Sequence, residues 1–202
     1  MNVRIQYDIE FPGGIYTEEG LFLNNYTASI SMVTGTEDKD QLNIAMERLK
    51  CFVYTILKDT VFINHERTEH AALLHMMGIN ITTLPQEPVD QIIGMMLYCK
   101  LNAIMEGRLV VTEVDLSSTI SEGVWYLHSE EESLGPFRTT GWWDHPGTLN
   151  HSIEFKDENE KIVKVPSDSW ADYELLWPEA NTPTGNIVVY ANFGKNEDNP
   201  IQ

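Results

Sequence analysis

Apolar and polar residues alternate from the start of the chain. Val3, Ile5, Tyr7, Ile9 and Phe11 are separated by Arg4, Gln6, Asp8 and Glu10, the period-2 pattern of a half-buried strand. Pro12-Gly13-Gly14 is expected to stop it. A second strand is expected over residues 26–33. The period then changes. Leu42, Ala45, Met46, Leu49, Phe52, Val53, Ile56 and Leu57 recur at helical spacing, behind Glu37, Asp38 and Asp40, acids that suit the positive end of a helix dipole.

Strand and helix patterns then take turns. Residues 60–63 read as a short strand, residues 66–77 as a helix closed by Gly78, and residues 79–84 as a strand; glycine favours the left-handed geometry that ends a helix. Pro88 and Gly107 frame a long helix over residues 88–106, and residues 108–116 are strand-like again. Short links between alternating elements imply an α/β layer with parallel pairing, and the leading hairpin-like strands make the sheet mixed.

Beyond residue 117 the pattern is β-like. Strands are expected at 123–128, 152–155, 161–165 and 186–192, with an acidic hairpin tip at 157–160 and a frayed tail from Gly194. The expected fold class is α+β. Residues 1–116 form a mixed α/β portion of order β-β-α-β-α-β-α-β. Residues 117–202 form an acidic, Trp-rich, mainly antiparallel β portion packed on the first as one compact unit.

Composition supports that division. All eight Met residues lie at or before Met105, and all five Trp residues at or after Trp125. Residues 1–110 carry 14 acids and 8 bases, and residues 111–202 carry 17 and 5. The chain has 202 residues, 42% of them hydrophobic, and a formal net charge of −18. That is a globular composition, long enough to bury a core without disulfide or metal.

The shortage of Lys and Arg argues against binding nucleic-acid backbones or anionic membranes, which needs clustered cations. It favours a protein partner with a neutral or basic surface. Cys51 and Cys99 lie in apolar helical runs, where a free thiol acts as a small hydrophobe, and they define no disulfide framework. The N-terminal pattern is not that of a signal peptide, and no run of about 18 apolar residues is present. The expectation is a soluble, cytoplasmic protein.

Four features attract chemical attention. His65-Glu66-Arg67-Thr68-Glu69-His70 misses the zinc-protease HExxH motif by one residue, which puts its histidines about 140° apart on a helix. Surface pairs of His65 with Glu69 and of Glu66 with His70 are expected instead. His128, Asp144, His145 and His151 form a candidate set for a divalent metal such as zinc. Trp142 and Trp143, with Glu130, Glu131 and Glu132, form a candidate partner-binding surface. Lys100 falls in the middle of the apolar face made by Ile92, Ile93, Met96, Ala103 and Ile104. It reads either as a tuned lysine in a pocket or, preferably, as one that snorkels past the helix end or pairs with a carboxylate.

No Walker loop, GxGxxG, GxSxG elbow, zinc-finger spacing or EF-hand is present. The preferred reading is therefore non-enzymatic and cofactor-free: a soluble acidic protein–protein interaction or assembly module, compatible with homo-oligomers, such as a virus or mobile element encodes as an accessory protein. The alternative is a metal-assisted hydrolase built on the four-residue His/Asp set, where a metal would lower the pKa of its bound water. A third reading, an inhibitor imitating nucleic acid with its carboxylates, ranks last because the acid density is modest.

Overall fold

A computed structural model describes residues 3–156, 161–165, 167, 169 and 170. Its organising element is a long hairpin. Strand β1 (Arg4–Thr17) pairs antiparallel with β2 (Gly20–Thr34) along its whole length, from Arg4 opposite Val33 to Thr17 opposite Gly20. β1 therefore does not stop at Pro12-Gly13-Gly14, and the reason is steric. A Cβ on Gly13 would lie 2.9 Å from the Thr60 carbonyl and 3.2 Å from the Tyr26 ring, and one on Gly14 2.9 Å from the Phe22 carbonyl. These glycines permit close backbone approach inside a strand rather than a turn. Pro12 is tolerated for a related reason. Its carbonyl accepts from the Asp59 amide at 2.8 Å, so its missing N–H falls on the side where the next strand is only beginning, away from the β2 ladder.

Helix α1 (Lys39–Cys51) starts where the acids predicted. The Asp38 carboxylate accepts from the amides of Asp40 and Gln41 at 2.9 and 3.4 Å, a side-chain N-cap. The helix continues as a π-helical turn, Phe52–Leu57. There follow β3 (Thr60–Asn64), α2 (Thr68–Met76), β4 (Ile81–Leu84), α3 (Asp90–Met105), β5 (Leu109–Ser118) and β6 (Tyr126–Ser129). Six strands form one sheet in the order β4-β3-β1-β2-β5-β6. β1 with β3 and β3 with β4 run parallel, and the other neighbours are antiparallel. A separate hairpin joins β7 (Ile153–Lys156) to β8 (Ile162–Val165). The class is α+β with a mixed sheet, as the pattern implied.

Burial follows the strand period. On β2, Tyr26, Ala28, Ile30 and Met32 are buried while Thr27, Ser29 and Ser31 between them are not. That inner face packs on α1, the π-helical turn and α3, where Leu49, Phe52, Ile93 and Leu97 are fully covered. β3 and β4 are buried on both faces. Their second face meets α2 and β7 through Val61, Ile63, Ala71, Leu74, Ile81 and Ile153. The change of composition at residue 117 falls inside β5, β6 belongs to the same sheet, and Phe137, Trp142 and Leu149 enter the main core.

The expected strands near 152–155 and 161–165 are present as β7 and β8. The expected strand at 186–192, the tip at 157–160 and the tail lie outside the described residues. No helix of the described residues is long and apolar enough to cross a membrane.

Candidate functional site at the open edge of the sheet

A six-stranded sheet has two edges, and this chain treats them differently. At the β4 edge, the Val61 amide donates to the Asn80 carbonyl and the His65 amide to the Leu84 carbonyl, each at 2.8 Å. Alternation along the strand turns the Thr83 carbonyl outward. The Trp142 indole N–H donates to that carbonyl at 3.1 Å. Trp142 begins a short 3-10 turn, Trp142–Asp144, and is only 5% exposed.

Lys100 holds the loop in place. Its Nζ donates to the carbonyls of Trp142 at 2.9 Å and His145 at 2.7 Å, and to that of Thr148. It also lies 5.6 Å from the centre of the Trp142 ring. The side chain is fully buried, so it neither snorkels nor relies on a carboxylate pair, the two resolutions expected for it. Burial pushes its pKa down to about 7, with Asp144 acting in the opposite sense. An ammonium has three donors and no acceptor, and all three meet carbonyls here.

The β6 edge is open at Leu127, whereas at Ser129 the chain turns back on itself, the Ser129 amide donating to Glu132 Oε2 at 3.3 Å and its carbonyl accepting from the Glu132 amide at 3.1 Å. The Glu130 amide donates to the Thr112 carbonyl at 3.1 Å, and His128 and Tyr126 stand opposite Val114 and Leu116. Antiparallel alternation therefore points the His128 and Tyr126 backbone groups at β5 and the Leu127 N–H and C=O away from the sheet. Among the described residues no strand lies beyond them. Exposed apolar side chains surround this edge: Trp125 is 53% and Leu127 51% exposed, with Val124 and Tyr126 beside them. The segment that leads from β5 into β6 is tied to β2 near the hairpin end. The Ile120 amide donates to Asn24 Oδ1 at 3.2 Å and the Thr119 amide to the Asn25 carbonyl at 3.0 Å, which brings exposed Ile120 near exposed Leu21, Phe22 and Leu23.

Beside β6 a cavity of about 320 Å³ opens against α3, lined by Gln91, Gly94, Met95, Glu132 and Ser133 and by Tyr126, Leu127 and His128 of the strand itself. His128 is 5% exposed. Its Nδ1 lies 3.4 Å from Glu132 Oε2, and its ring meets Tyr98 edge-on with centroids 4.8 Å apart. Burial pushes the imidazole pKa down, with Glu132 opposing. Nε2 is buried and has no hydrogen-bond partner among the described residues.

The residues singled out from sequence are distributed unevenly over this geometry. Glu130, Glu131 and Glu132 are exposed on the turn leaving β6, beside the open edge. Trp142 is not a surface residue: it is packed into the core and closes the opposite edge. Trp143 is half-buried, edge-on to Phe137 at 5.2 Å, with its indole N–H on the Thr139 carbonyl at 3.1 Å. His128, Asp144, His145 and His151 are not brought together. The Asp144 carboxylate accepts from the Gly141 amide, His145 Nδ1 is paired with the Thr148 hydroxyl, and His151 lies toward His65. No three His, Cys, Asp or Glu side chains gather as a metal site among the described residues. His65 and His70 also part company. His65 precedes α2 with Nδ1 3.1 Å from the Leu84 carbonyl, whereas the His70 ring lies on Tyr16 at 5.1 Å.

Two features escaped the sequence reading. One is the run Val124-Trp125-Tyr126-Leu127, whose signal was four consecutive apolar residues next to Gly123. The other is a buried polar group on the inner face, where Tyr26 stands opposite Ser118 and Asp90 raises the Tyr26 phenol further above its burial-elevated pKa. Ser118 Oγ and Asp90 Oδ2 have no partner among the described residues, and Asn24 neighbours the Tyr26 hydroxyl and opposes the rise in its pKa. Nothing in the sequence announces that group, because its members come from β2, α3 and β5.

The fold and edge define a mixed-sheet α+β protein with one sheet edge closed by its own chain and the other exposed. No family model and no curated protein sequence matches it. Among solved structures, it is similar to an uncharacterized protein, WS1659, from Wolinella succinogenes, with 11% identity and a TM-score of 0.44 over 64% of this chain and 99% of that one. It is also similar to the 6-pyruvoyl tetrahydropterin synthase of Plasmodium falciparum, with 13% identity and a TM-score of 0.40 over 63% of this chain and 96% of that one. Neither is close enough to transfer an activity.

Proposed function

We propose that the protein is a non-enzymatic binding module that docks an extended segment of a protein partner along β6. The observation that carries this reading is the contrast between the two edges. Unpaired strand edges invite another chain, and proteins that avoid such pairing cover, charge or bend them. The β4 edge is covered by Trp142, whereas β6 offers outward Leu127 backbone groups framed by exposed Trp125, Tyr126 and Leu127. Added-strand recognition draws affinity from main-chain hydrogen bonds and specificity from alternate side chains. Glu130, Glu131 and Glu132 beside the edge, on a chain of net charge −18, favour a segment that is neutral or basic.

Leu127→Pro tests this directly. Its N–H points away from β5, so proline removes the donor that a partner would use and none that the sheet uses. The variant is expected to keep the wild-type circular dichroism while losing most of the protein captured by the wild type from an extract of its own host. Leu73→Lys, on the exposed side of α2, is expected to capture normally. Native mass spectrometry of the captured material separates a second copy of this chain from a different protein. A folded Leu127→Pro variant that retains the same partner contradicts the proposal.

A further inference from the structure

We infer that the cavity beside β6 is the specificity pocket of the docking edge and takes an arginine side chain from the docked segment. This rests on the docking proposed at β6 and names a residue that the docked segment carries. Tyr126 and His128 stand opposite Leu116 and Val114, which are buried in the main core. Both side chains therefore share the inner face of the sheet, and Leu127 takes the outer one. Gln91, Gly94 and Met95 of α3 lie across the cavity from the strand. In a strand added beyond β6, the residue that pairs with Leu127 turns outward with it, and its neighbours turn inward toward α3. The backbone groups of Ser129 are taken by Glu132, so pairing runs from Leu127 toward Trp125. The inward neighbour that such a ladder holds is the one opposite Tyr126, and the cavity is where its side chain goes. Strand addition draws its specificity from pockets of this kind.

The lining selects the guest. Met95, Gly94 and Tyr126 offer apolar surface, whereas Gln91, Glu132 and Ser133 bring polar groups, and no Lys or Arg lines the cavity among the described residues. Glu132 Oε2 accepts from the Ser129 amide at 3.3 Å and lies 3.4 Å from His128 Nδ1. Oε1 has no hydrogen-bond partner among the described residues, and the side chain is 49% exposed, which leaves the carboxylate within reach of a guest. An acidic guest is repelled there, and an apolar one leaves the carboxylate without a partner. A long basic side chain suits both parts of the lining, its methylenes on Met95 and its charge at Glu132.

Of the two long bases, arginine fits better. A planar guanidinium lies flat on an exposed ring such as Tyr126, and its fork of five donors can serve the carboxylate, the Gln91 amide oxygen and the Ser133 hydroxyl together. About 320 Å³ stands at the small end of ligand sites, space for one long side chain.

The probes are three rhodamine-labelled heptapeptides, Thr-Thr-Val-X-Val-Thr-Thr-amide, in which X is arginine, citrulline or glutamate. When X turns inward, its two valines face outward beside Trp125 and Leu127. Citrulline keeps the shape of arginine without its charge. Fluorescence anisotropy with the full-length chain is expected to show the arginine peptide binding about tenfold more tightly than the citrulline peptide, the scale of one charge-assisted hydrogen bond. The glutamate peptide should bind weakest. Gln91→Trp fills the cavity from an exposed position of α3 and changes no charge; Glu132→Gln removes the charge but keeps an acceptor for the Ser129 amide. Each is expected to bring the arginine and citrulline affinities within about twofold of one another. An arginine preference that survives Gln91→Trp is attraction to the net charge of the chain, and it overturns the inference. Equal affinities in the wild type, or no binding by any peptide, overturn it too. Leu127→Pro reads the edge separately. Binding that is lost in Leu127→Pro but indifferent to X supports the edge and overturns the pocket. An arginine preference that Leu127→Pro leaves unchanged overturns the edge, and with it the part assigned to the pocket in docking.

Discussion

Lys100 shows how much one residue can decide. A buried lysine without partners would lose its proton or unfold the region around it. Here three backbone carbonyls from a single loop surround Nζ, so the side chain works as an internal clamp that keeps Trp142 against β4. Lys100→Met fills similar volume but leaves those carbonyls without donors. The expected loss is about 3 kcal/mol of stability, measured by urea denaturation. A pH effect follows from burial. The folded-state pKa of about 7 lies below the ordinary lysine value of about 10.4. Above pH 7 the unfolded chain therefore holds a proton that the folded chain has released, and stability rises with pH. Near the ordinary thiol value of about 8.5 an opposing effect begins, because burial pushes the Cys99 thiol up to about 12. The urea midpoint of the wild type should climb between pH 7 and about 8.5, and Lys100→Met should not share that rise; a parallel rise in both proteins would show that another group is responsible. The sequence revealed the anomaly of a cation on an apolar face. It did not reveal the resolution, because the accepting carbonyls lie more than 40 residues away along the chain and carbonyls have no sequence signature.

Single elements were legible where local chemistry decides them. α1 starts at an acidic cap, and α2 and α3 give way to Gly78 and Gly107, both at a φ of +76°. β1 was misread because glycine has two uses, turning and close approach, that look alike in sequence. Only the partner tells them apart, and the partners of Gly13 are Thr60 and Tyr26. Gly13→Ala should therefore act as overpacking within a central strand, costing about 2 kcal/mol. Chemical denaturation measures this, and a neutral effect would mean that β3 can move aside. The His/Asp set illustrates the opposite error. His128, Asp144, His145 and His151 are metal-ligand types at close sequence spacing, but β6, the 3-10 turn and the following loop hold them to different neighbours. Residue type is visible in sequence; convergence requires the order of strands.

At the scale of the whole molecule the informative property is asymmetry between sheet edges. Neither edge could be assigned from the sequence, because the terminal positions of β4 and β6 follow from the order β4-β3-β1-β2-β5-β6. The components were nonetheless in view. The acids at 130–132 lie on the turn beside the open β6 edge, Trp142 lies at the closed β4 edge, and the apolar run at 124–127 reads in sequence as an ordinary strand. Residues 117–129 complete the sheet that the first portion begins, so the open edge exists only in the assembled fold. The most direct measurement of partner docking is hydrogen exchange, followed by mass spectrometry, of the free chain and of the complex captured from its own host. In the free chain the outward Leu127 amide should exchange fast, since no strand covers it among the described residues. In the complex, protection should appear across residues 125–129 and be greatest at Leu127. Protection confined to other surfaces, with β6 exchanging as fast as in the free chain, would contradict the assignment of this edge as the binding site.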